Sequence, residues 1–159
     1  MRRGDRHRPT RQRGFTLVFG LFAVAAAAAG AMLLATQWTR DMQREKEAEL
    51  LRVGDLYAQA IASYYQTSSG SVKRYPPDLQ SLLEDRRYIG LHRHLRALYA
   101  DPVTGSTDWG MVRADDGGIM GVYSRSDAHP WRRIAARLDH SDLLAAQHYS
   151  EWKFIAKVQ

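Results

Sequence analysis

The chain has 159 residues, a net charge of +6 and no cysteine. This length fits one domain, and the lack of cysteine excludes disulfide bridges, thiolate metal sites and cysteine nucleophiles. Most of the positive charge precedes Phe15: six arginines and one acid give +5 there, whereas 17 basic and 16 acidic residues nearly cancel in the remainder. This distribution is typical of a topology signal beside an apolar segment, so we expect no nucleic-acid binding by the main domain.

An uncharged segment follows these arginines. No charged residue occurs from Gly14 to Thr39, and these 26 residues would reach about 39 Å as a helix, more than the ~30 Å core of a bilayer. Because backbone groups in lipid must pair internally, the segment predicts a transmembrane helix (residues 15–39) with a cytoplasmic N-terminus. Two alternatives are a cleaved secretory signal peptide, with small residues at alanines 25–29, and an ordinary signal anchor.

The residues that open this segment narrow the prediction. From Arg13 to Leu17 the chain reads Arg-Gly-Phe-Thr-Leu, which resembles the leader junction of type IV pilins and of type II secretion pseudopilins. The resemblance implies a prepilin leader at residues 1–14, cleavage between Gly14 and Phe15 by a prepilin peptidase, and N-methylation of Phe15. The family has a glutamate at the fifth mature position, where this chain has Phe19. In the family, this glutamate pairs with the N-terminal amine of a neighbouring subunit, and Phe19 cannot form that pair.

Helical periodicity continues beyond the uncharged segment, over residues 40–69. Apolar residues recur at three- and four-residue steps and share one face, which predicts packing against a core. They are Leu50, Val53, Tyr57, Ile61 and Tyr64. The mixed charges of this segment, including Glu45 and Glu47, are interpreted as a solvated face, with bridges between subunits as the alternative. One helix from about Phe15 to about Gln66 is predicted.

The remaining residues, 70–159, predict a small domain of short elements. An extended Tyr75-Pro76 step leads to a short helix around Leu79–Leu83 capped by Asp78, and then to a second helix over Leu91–Leu98. Asp101 to Gly105 predicts a turn. A hairpin is predicted around the glycines that follow Asp116, because acid-glycine turns between apolar runs favour one. A helix from Ser141 to Gln147 and a last strand from Glu151 to Val158 complete the prediction.

The predicted fold class is α+β: a long N-terminal α-helix, transmembrane in its first half, packed on a small C-terminal antiparallel β-sheet. This element order resembles the pilin and pseudopilin fold. The stretch from Tyr75 through Tyr123, with its Tyr-Pro step and Asp-Pro turn, resembles the major pseudopilin in particular. The resemblance therefore covers most of the chain.

No pattern of catalytic residues is present, and we expect no enzyme. His92 and His94 are two residues apart, which places them in different directions on a helix, and exposed histidines are predicted. The resemblance implies one possible cofactor, calcium, because major pseudopilins bind it in the loop before the last strand. Asp127 stands in a similar place, with Asp116 (or Asp115) as a second carboxylate. Acids that only cap turns are the alternative, since calcium needs about 6–8 oxygens.

The resemblance implies a structural subunit of a periplasmic filament that assists protein export by type II secretion, or of a related type IV pilus-like assembly. Its expected place is the bacterial inner membrane, single-pass, with the C-terminal domain in the periplasm. Its expected partners are other pilin-like subunits, the prepilin peptidase, an inner-membrane assembly platform and membrane lipid. Two alternatives are a minor type IV pilin for adhesion or DNA uptake, with a basic patch at Arg86, Arg87, Arg93 and Arg96, and a signal-anchored periplasmic binding protein or enzyme.

Overall fold

A computed structural model describes residues 13–68, 72–132 and 135–158; the side chains of residues 13–16 and 31–40 also lie outside its described part. Two compact units are present, residues 1–42 and residues 43–159. A single α-helix, α1 (Arg13–Gln66), contributes to both. The bounds of α1 agree with the helix predicted from the sequence. No proline occurs between Pro9 and Pro76, so none interrupts this helix.

In the first unit, the described side chains of residues 17–30 are all exposed. The large apolar ones among them are Leu17, Val18, Phe19, Leu21, Phe22 and Val24. Among the residues that the structure describes, no helix combines the length and the apolar character needed to cross a membrane.

The second unit contains two small antiparallel sheets. The three-stranded sheet has the order β1 (Gly110–Arg113), β2 (Ile119–Tyr123) and β5 (Lys153–Ile155), with all neighbours antiparallel. The two-stranded sheet pairs β3 (Ala136–Arg137) with β4 (Asp142–Leu143). Two 3₁₀ turns, Gln80–Leu82 and Tyr149–Glu151, complete the regular structure of the described residues. The predicted α+β class with an antiparallel sheet is therefore confirmed.

The core of this unit lies between the C-terminal half of α1 and the three-stranded sheet. All five residues of the predicted apolar stripe are buried, the most exposed being Tyr64 at 6%. They pack with buried side chains from the sheet and from the loops, which include Trp109, Ile119, Val122, Trp152 and Phe154. The stripe is thus the helical side of the core, as its periodicity predicts.

Close packing of α1 on β5 depends on Gly54. A Cβ atom at this position would lie 2.4 Å from the ring of Phe154, far inside van der Waals contact. Glycine costs a helix interior up to about 1 kcal/mol relative to alanine. Its presence here is explained by the approach of the aromatic ring from β5.

The local predictions for the C-terminal domain were right in part. The hairpin is β1–β2, and the turn at Asp101 closes with a 2.7 Å hydrogen bond from Gly105 N–H to the carbonyl of Asp101. The predicted helix at Leu79–Leu83 is a single 3₁₀ turn, and Asp78 caps it by accepting from Ser81 N–H at 2.8 Å. The last strand is shorter than predicted, Lys153–Ile155.

Two predicted helices were wrong. Residues 91–98 contain no helix, because His94 and Leu95 donate their backbone N–H groups to the carbonyl of Leu82 instead of to their own segment. Residues 141–147 are also not helical: Asp142–Leu143 form β4, and the hydroxyl of Ser141 donates to Asp55 on α1. In both places contacts with distant segments override the local pattern.

Candidate functional site

The predicted cleavage position lies at the start of α1. Gly14 and Phe15 belong to its first turn, while the preceding leader residues, through residue 12, lie outside the described residues. Downstream, Phe19 is 65% exposed and has neighbours of similar exposure. Contiguous exposed apolar side chains of this kind mark surfaces that meet lipid or another chain.

A second candidate region is a polar cluster beside the C-terminal end of α1. Its centre is Asp85, whose side chain is fully buried. Arg87 binds this carboxylate with two hydrogen bonds, Nη2 to Oδ2 at 2.6 Å and Nε to Oδ1 at 2.8 Å. The same guanidinium donates to the carbonyl of Tyr64 at 2.9 Å and lies 3.6 Å above the Tyr64 ring centre. A cation at the carboxyl end of a helix is also favoured by the helix dipole.

Ser63, His94 and Asp85 form a hydrogen-bonded chain within this cluster. The Nε2 atom of His94 lies 3.1 Å from Asp85 Oδ2, and its Nδ1 atom lies 2.8 Å from Ser63 Oγ. Because a carboxylate can only accept, Nε2 carries the proton, and the neutral ring accepts from the serine hydroxyl at Nδ1. Burial lowers the pKa of His94, which favours this neutral form, and hydrogen bonds from Arg87 lower the pKa of Asp85.

The three groups occur in the same order as in a catalytic serine–histidine–carboxylate triad. Their surroundings, however, indicate a structural role. The His94 side chain is only 1% exposed. Neither Ser63 nor His94 lines any of three cavities in the described part of the chain, of about 630, 1200 and 290 Å³. The prediction that His94 is an exposed histidine was wrong, because the ring fills the space between α1 and the loop that carries Asp85.

Two acids of α1 anchor the segment between β2 and β5. Glu47 is buried and accepts from the backbone N–H of Trp131 at 2.7 Å, that of Arg132 at 3.1 Å and the hydroxyl of Tyr149 at 3.0 Å. Burial raises the pKa of Tyr149 to about 12, so its hydroxyl stays a donor. The interpretation of Glu47 as part of a solvated face was therefore wrong, whereas Glu45 is exposed.

Asp55, two helical turns further along α1, has the same function. Its Oδ1 accepts from the backbone N–H of His140 at 3.0 Å and from the hydroxyl of Ser141 at 3.2 Å, and its Oδ2 lies 2.9 Å from the imidazole of His140. Together, the carboxylates of Glu47 and Asp55 fix two points of a long connection that has little regular structure of its own.

Each of the two acids predicted as calcium ligands accepts a hydrogen bond from another group of the protein. Asp116 accepts from Gly118 N–H at 2.9 Å in the β1–β2 turn, and Asp127 accepts from the hydroxyl of Ser150 at 3.1 Å. In the described residues, no group of three or more His, Cys, Asp or Glu side chains is placed to hold a metal ion. The calcium hypothesis stays a prediction.

The four arginines of the predicted basic patch are not equivalent. All four residues are exposed, but the guanidinium of Arg87 is held by Asp85 and α1. The sequence contained one local signal for this difference: Asp85 lies two residues before Arg87, close enough for a local ion pair. No periodicity marks the distant contacts of Glu47 and Asp55, because their partners lie about 85 residues away along the chain.

Comparisons with models of protein families, with curated proteins and with solved structures returned no match.

Proposed function

We propose that this chain is a structural pseudopilin subunit, which assembles into a short periplasmic filament that assists protein export by type II secretion or works in a related type IV pilus-like system. The observation that carries the proposal is the 54-residue helix α1. One part of it presents exposed apolar side chains, and the other part is the core helix of an α+β unit.

The exposed apolar side chains of α1 require a partner. The six large ones from Leu17 to Val24 are 64–72% exposed. Full burial of such a side chain is worth about 1.5–3 kcal/mol, so covering six of them stabilises the chain by roughly 10 kcal/mol. Lipid provides this cover before assembly, and helices of neighbouring subunits provide it in a filament. The same surface thus serves as an anchor first and as an assembly interface later.

The proposed maturation follows from the leader junction. On the cytoplasmic side of the inner membrane, the prepilin peptidase cleaves the bond between Gly14 and Phe15. This step removes residues 1–14, and the new terminal residue, Phe15, is then methylated. The mature chain is then a single-pass protein with its C-terminal domain in the periplasm, ready for an inner-membrane assembly platform. Phe19 replaces the family's acid, so its contact with a neighbour is apolar and not ionic, which favours a minor position over the bulk repeating subunit.

A minor type IV pilin for adhesion or DNA uptake is the second candidate. The exposed arginines Arg86, Arg93 and Arg96 favour it, since a basic surface suits an anionic target. The two candidates share the anchor and the assembly step. Charge reversal of these arginines should reduce attachment if the chain is a minor pilin, and it should leave export unchanged if the chain is a pseudopilin.

The absence of cysteine makes the assembly step directly testable. Two variants, one with a single cysteine at Val18 and one with a single cysteine at Phe22, are expressed together in the native host. The isolated membranes are then treated with an oxidant. We expect disulfide-linked dimers from adjacent α1 helices, and loss of these dimers when the genes for the assembly machinery are deleted. A cysteine at Asp115, in the exposed β1–β2 turn, is the matched control. Chains that stay monomeric for every cysteine pair along residues 17–30 would contradict the proposal.

A further inference from the structure

The cavity of about 1200 Å³ has a basic lining and is called the basic groove below. It lies between the segment that follows α1 and the turn that joins β1 to β2. Four of its lining residues carry a positive charge and one carries a negative charge, so the lining has a net charge of +3. These residues are Lys73, Arg74, Arg87, Arg113 and Asp116. The basic groove therefore attracts an anionic partner.

The cations of the basic groove differ in how far the protein already neutralises them. Arg87 is paired with Asp85, with 2.6 Å between Nη2 and Oδ2. In contrast, no carboxylate of the described residues forms an ion pair with Lys73, Arg74 or Arg113. Three positive charges are thus available for the carboxylates of a partner.

Two of these three cations are held in place by backbone carbonyls. The Nζ atom of Lys73 donates to the carbonyl of Gln66 at 2.7 Å and to that of Ser68 at 3.1 Å. Arg113 donates through Nη1 to the carbonyl of Gly117 at 2.7 Å, and its guanidinium has further N–H groups for a second partner. Cations that are ordered before binding lose less conformational entropy when a partner binds.

The size and the apolar part of the basic groove favour a peptide segment. Sites for small molecules usually have volumes of about 300–1,000 Å³, and the basic groove exceeds this range. Its lining includes Pro77 and Val72, and Val72 is 65% exposed. Side chains of an extended peptide can cover these residues while its carboxylates meet the cations.

Both aromatic rings of the basic groove already have a stacking partner. The guanidinium carbon of Arg87 lies 3.6 Å from the ring centre of Tyr64. The ring of Tyr75 lies against that of Tyr65, with 4.6 Å between the ring centres. Single-stranded nucleic acids bind largely by stacking their bases on open aromatic faces, whereas an arginine cluster recognises carboxylates without one. An acidic peptide therefore fits this lining better than a nucleic acid.

We propose that the basic groove binds an acidic, extended segment of a partner protein. Carboxylates of this segment pair with Arg74 and Arg113, and its apolar side chains cover Val72. Lys73 contributes a third positive charge. The lining residues belong to the second unit and do not include the exposed apolar part of α1, so this proposal is independent of the filament proposal.

The test is fluorescence anisotropy of the full chain in non-ionic detergent, with a labelled peptide of alternating glutamate and serine residues as the probe. We expect saturable binding that weakens as the salt concentration rises. The double variant Arg74→Gln, Arg113→Gln should weaken binding about tenfold. The matched control is Arg93→Gln, Arg96→Gln, which removes two exposed charges outside the groove and should change the Kd by less than about twofold. The arginines before Phe15 are the same in every variant, so their contribution cancels.

A cysteine adduct locates the bound peptide, because the chain has no cysteine of its own. With a peptide that carries a bromoacetyl group, the thiolate of Val72→Cys displaces bromide and forms a thioether. Leu144→Cys replaces a side chain that is 81% exposed and outside the groove, and it is the control. The adduct should form about tenfold faster at residue 72 than at residue 144.

Melting curves show whether each variant is folded. If the double variant unfolds, Arg74→Gln alone and the rate of the Val72→Cys adduct decide the question. Equal peptide binding by the wild type and the folded double variant would overturn the proposal, and so would a wild type that does not bind the peptide. An equal loss of binding in the matched control would indicate unspecific charge attraction and would overturn it as well. Tighter binding of an oligothymidylate of equal charge would indicate a nucleic-acid surface instead.

Discussion

Replacing Arg87 by methionine should destabilise the folded domain more than any change at a neighbouring arginine. The guanidinium makes two hydrogen bonds to Asp85, whose side chain is fully buried, and one each to Ser68 Oγ and the carbonyl of Tyr64. Without it, the Asp85 carboxylate keeps the backbone N–H of residue 87 and the neutral ring of His94. Breaking a fully buried ion pair from one side costs about 3–5 kcal/mol. Because the Arg87 side chain is 29% exposed, we expect a smaller loss of about 2–3 kcal/mol.

For a domain of this size, that loss corresponds to a drop in melting temperature on the order of 10 °C. The measurement is urea and thermal unfolding of the purified chain, followed by tryptophan fluorescence, since Trp109 and Trp152 are buried. Arg86→Met is the matched control: its side chain is 84% exposed and 3.7 Å from Glu84, so we expect a change within about 0.5 kcal/mol. Equal losses for the two variants would refute the assigned role of Arg87.

Three further changes test other parts of the structure. Glu47→Ala should cost about 2–4 kcal/mol in urea unfolding, because two backbone donors and one buried hydroxyl lose their acceptor, whereas Glu45→Ala should be neutral. Gly54→Ala should lose about 1–3 kcal/mol through overpacking, while Gly20→Ala, with nothing within 4 Å of its added Cβ, should not destabilise the domain. Because burial lowers the pKa of His94 below its ordinary 6.5, the unfolded chain binds more protons, and stability should fall as the pH decreases below about 6.5; His94→Gln should flatten this part of the profile, and an unchanged slope would contradict the assignment.

Patterns within the sequence predicted the elements that short-range chemistry determines. The three- and four-residue spacing from Leu50 to Tyr64 identified the buried face of α1, and the acid-glycine turn identified the β1–β2 hairpin. The turn at Asp101 also formed as predicted, with its side chain accepting from Val103 N–H at 2.8 Å. In each of these cases the interacting residues are close in sequence or repeat with the period of their own element.

The elements that were predicted wrongly depend on distant partners. Leu91, Leu95 and Leu98 have the spacing of a helix, but the backbone there pairs with Leu82. Ser141 has the character of a helix cap, yet its hydroxyl donates to Asp55. Such choices depend on which segments the tertiary fold brings together, and no local pattern contains that information.

The polar contacts of α1 were missed for the same reason. Glu47 lies three residues before Leu50, at the edge of the buried face, and Glu45 does not. The mixture of charges alone led to both being interpreted as solvated, and only the fold shows the partners that Glu47 binds. The cluster around Asp85 combines groups from α1 and from a loop about twenty residues later. The rings of His129 and His148, whose centres are 4.6 Å apart, likewise bring together two loops that are distant in the sequence.

The central claim is the proposal that α1 is an anchor and assembly helix, which leader cleavage before Phe15 releases within its first turn. Intact-mass analysis of the protein extracted from the membranes of its native host tests this claim most directly. We predict a chain that begins at Phe15 and is one methyl group heavier than its sequence. A protein that retains residues 1–14, or one that begins after the alanines 25–29, would contradict the claim.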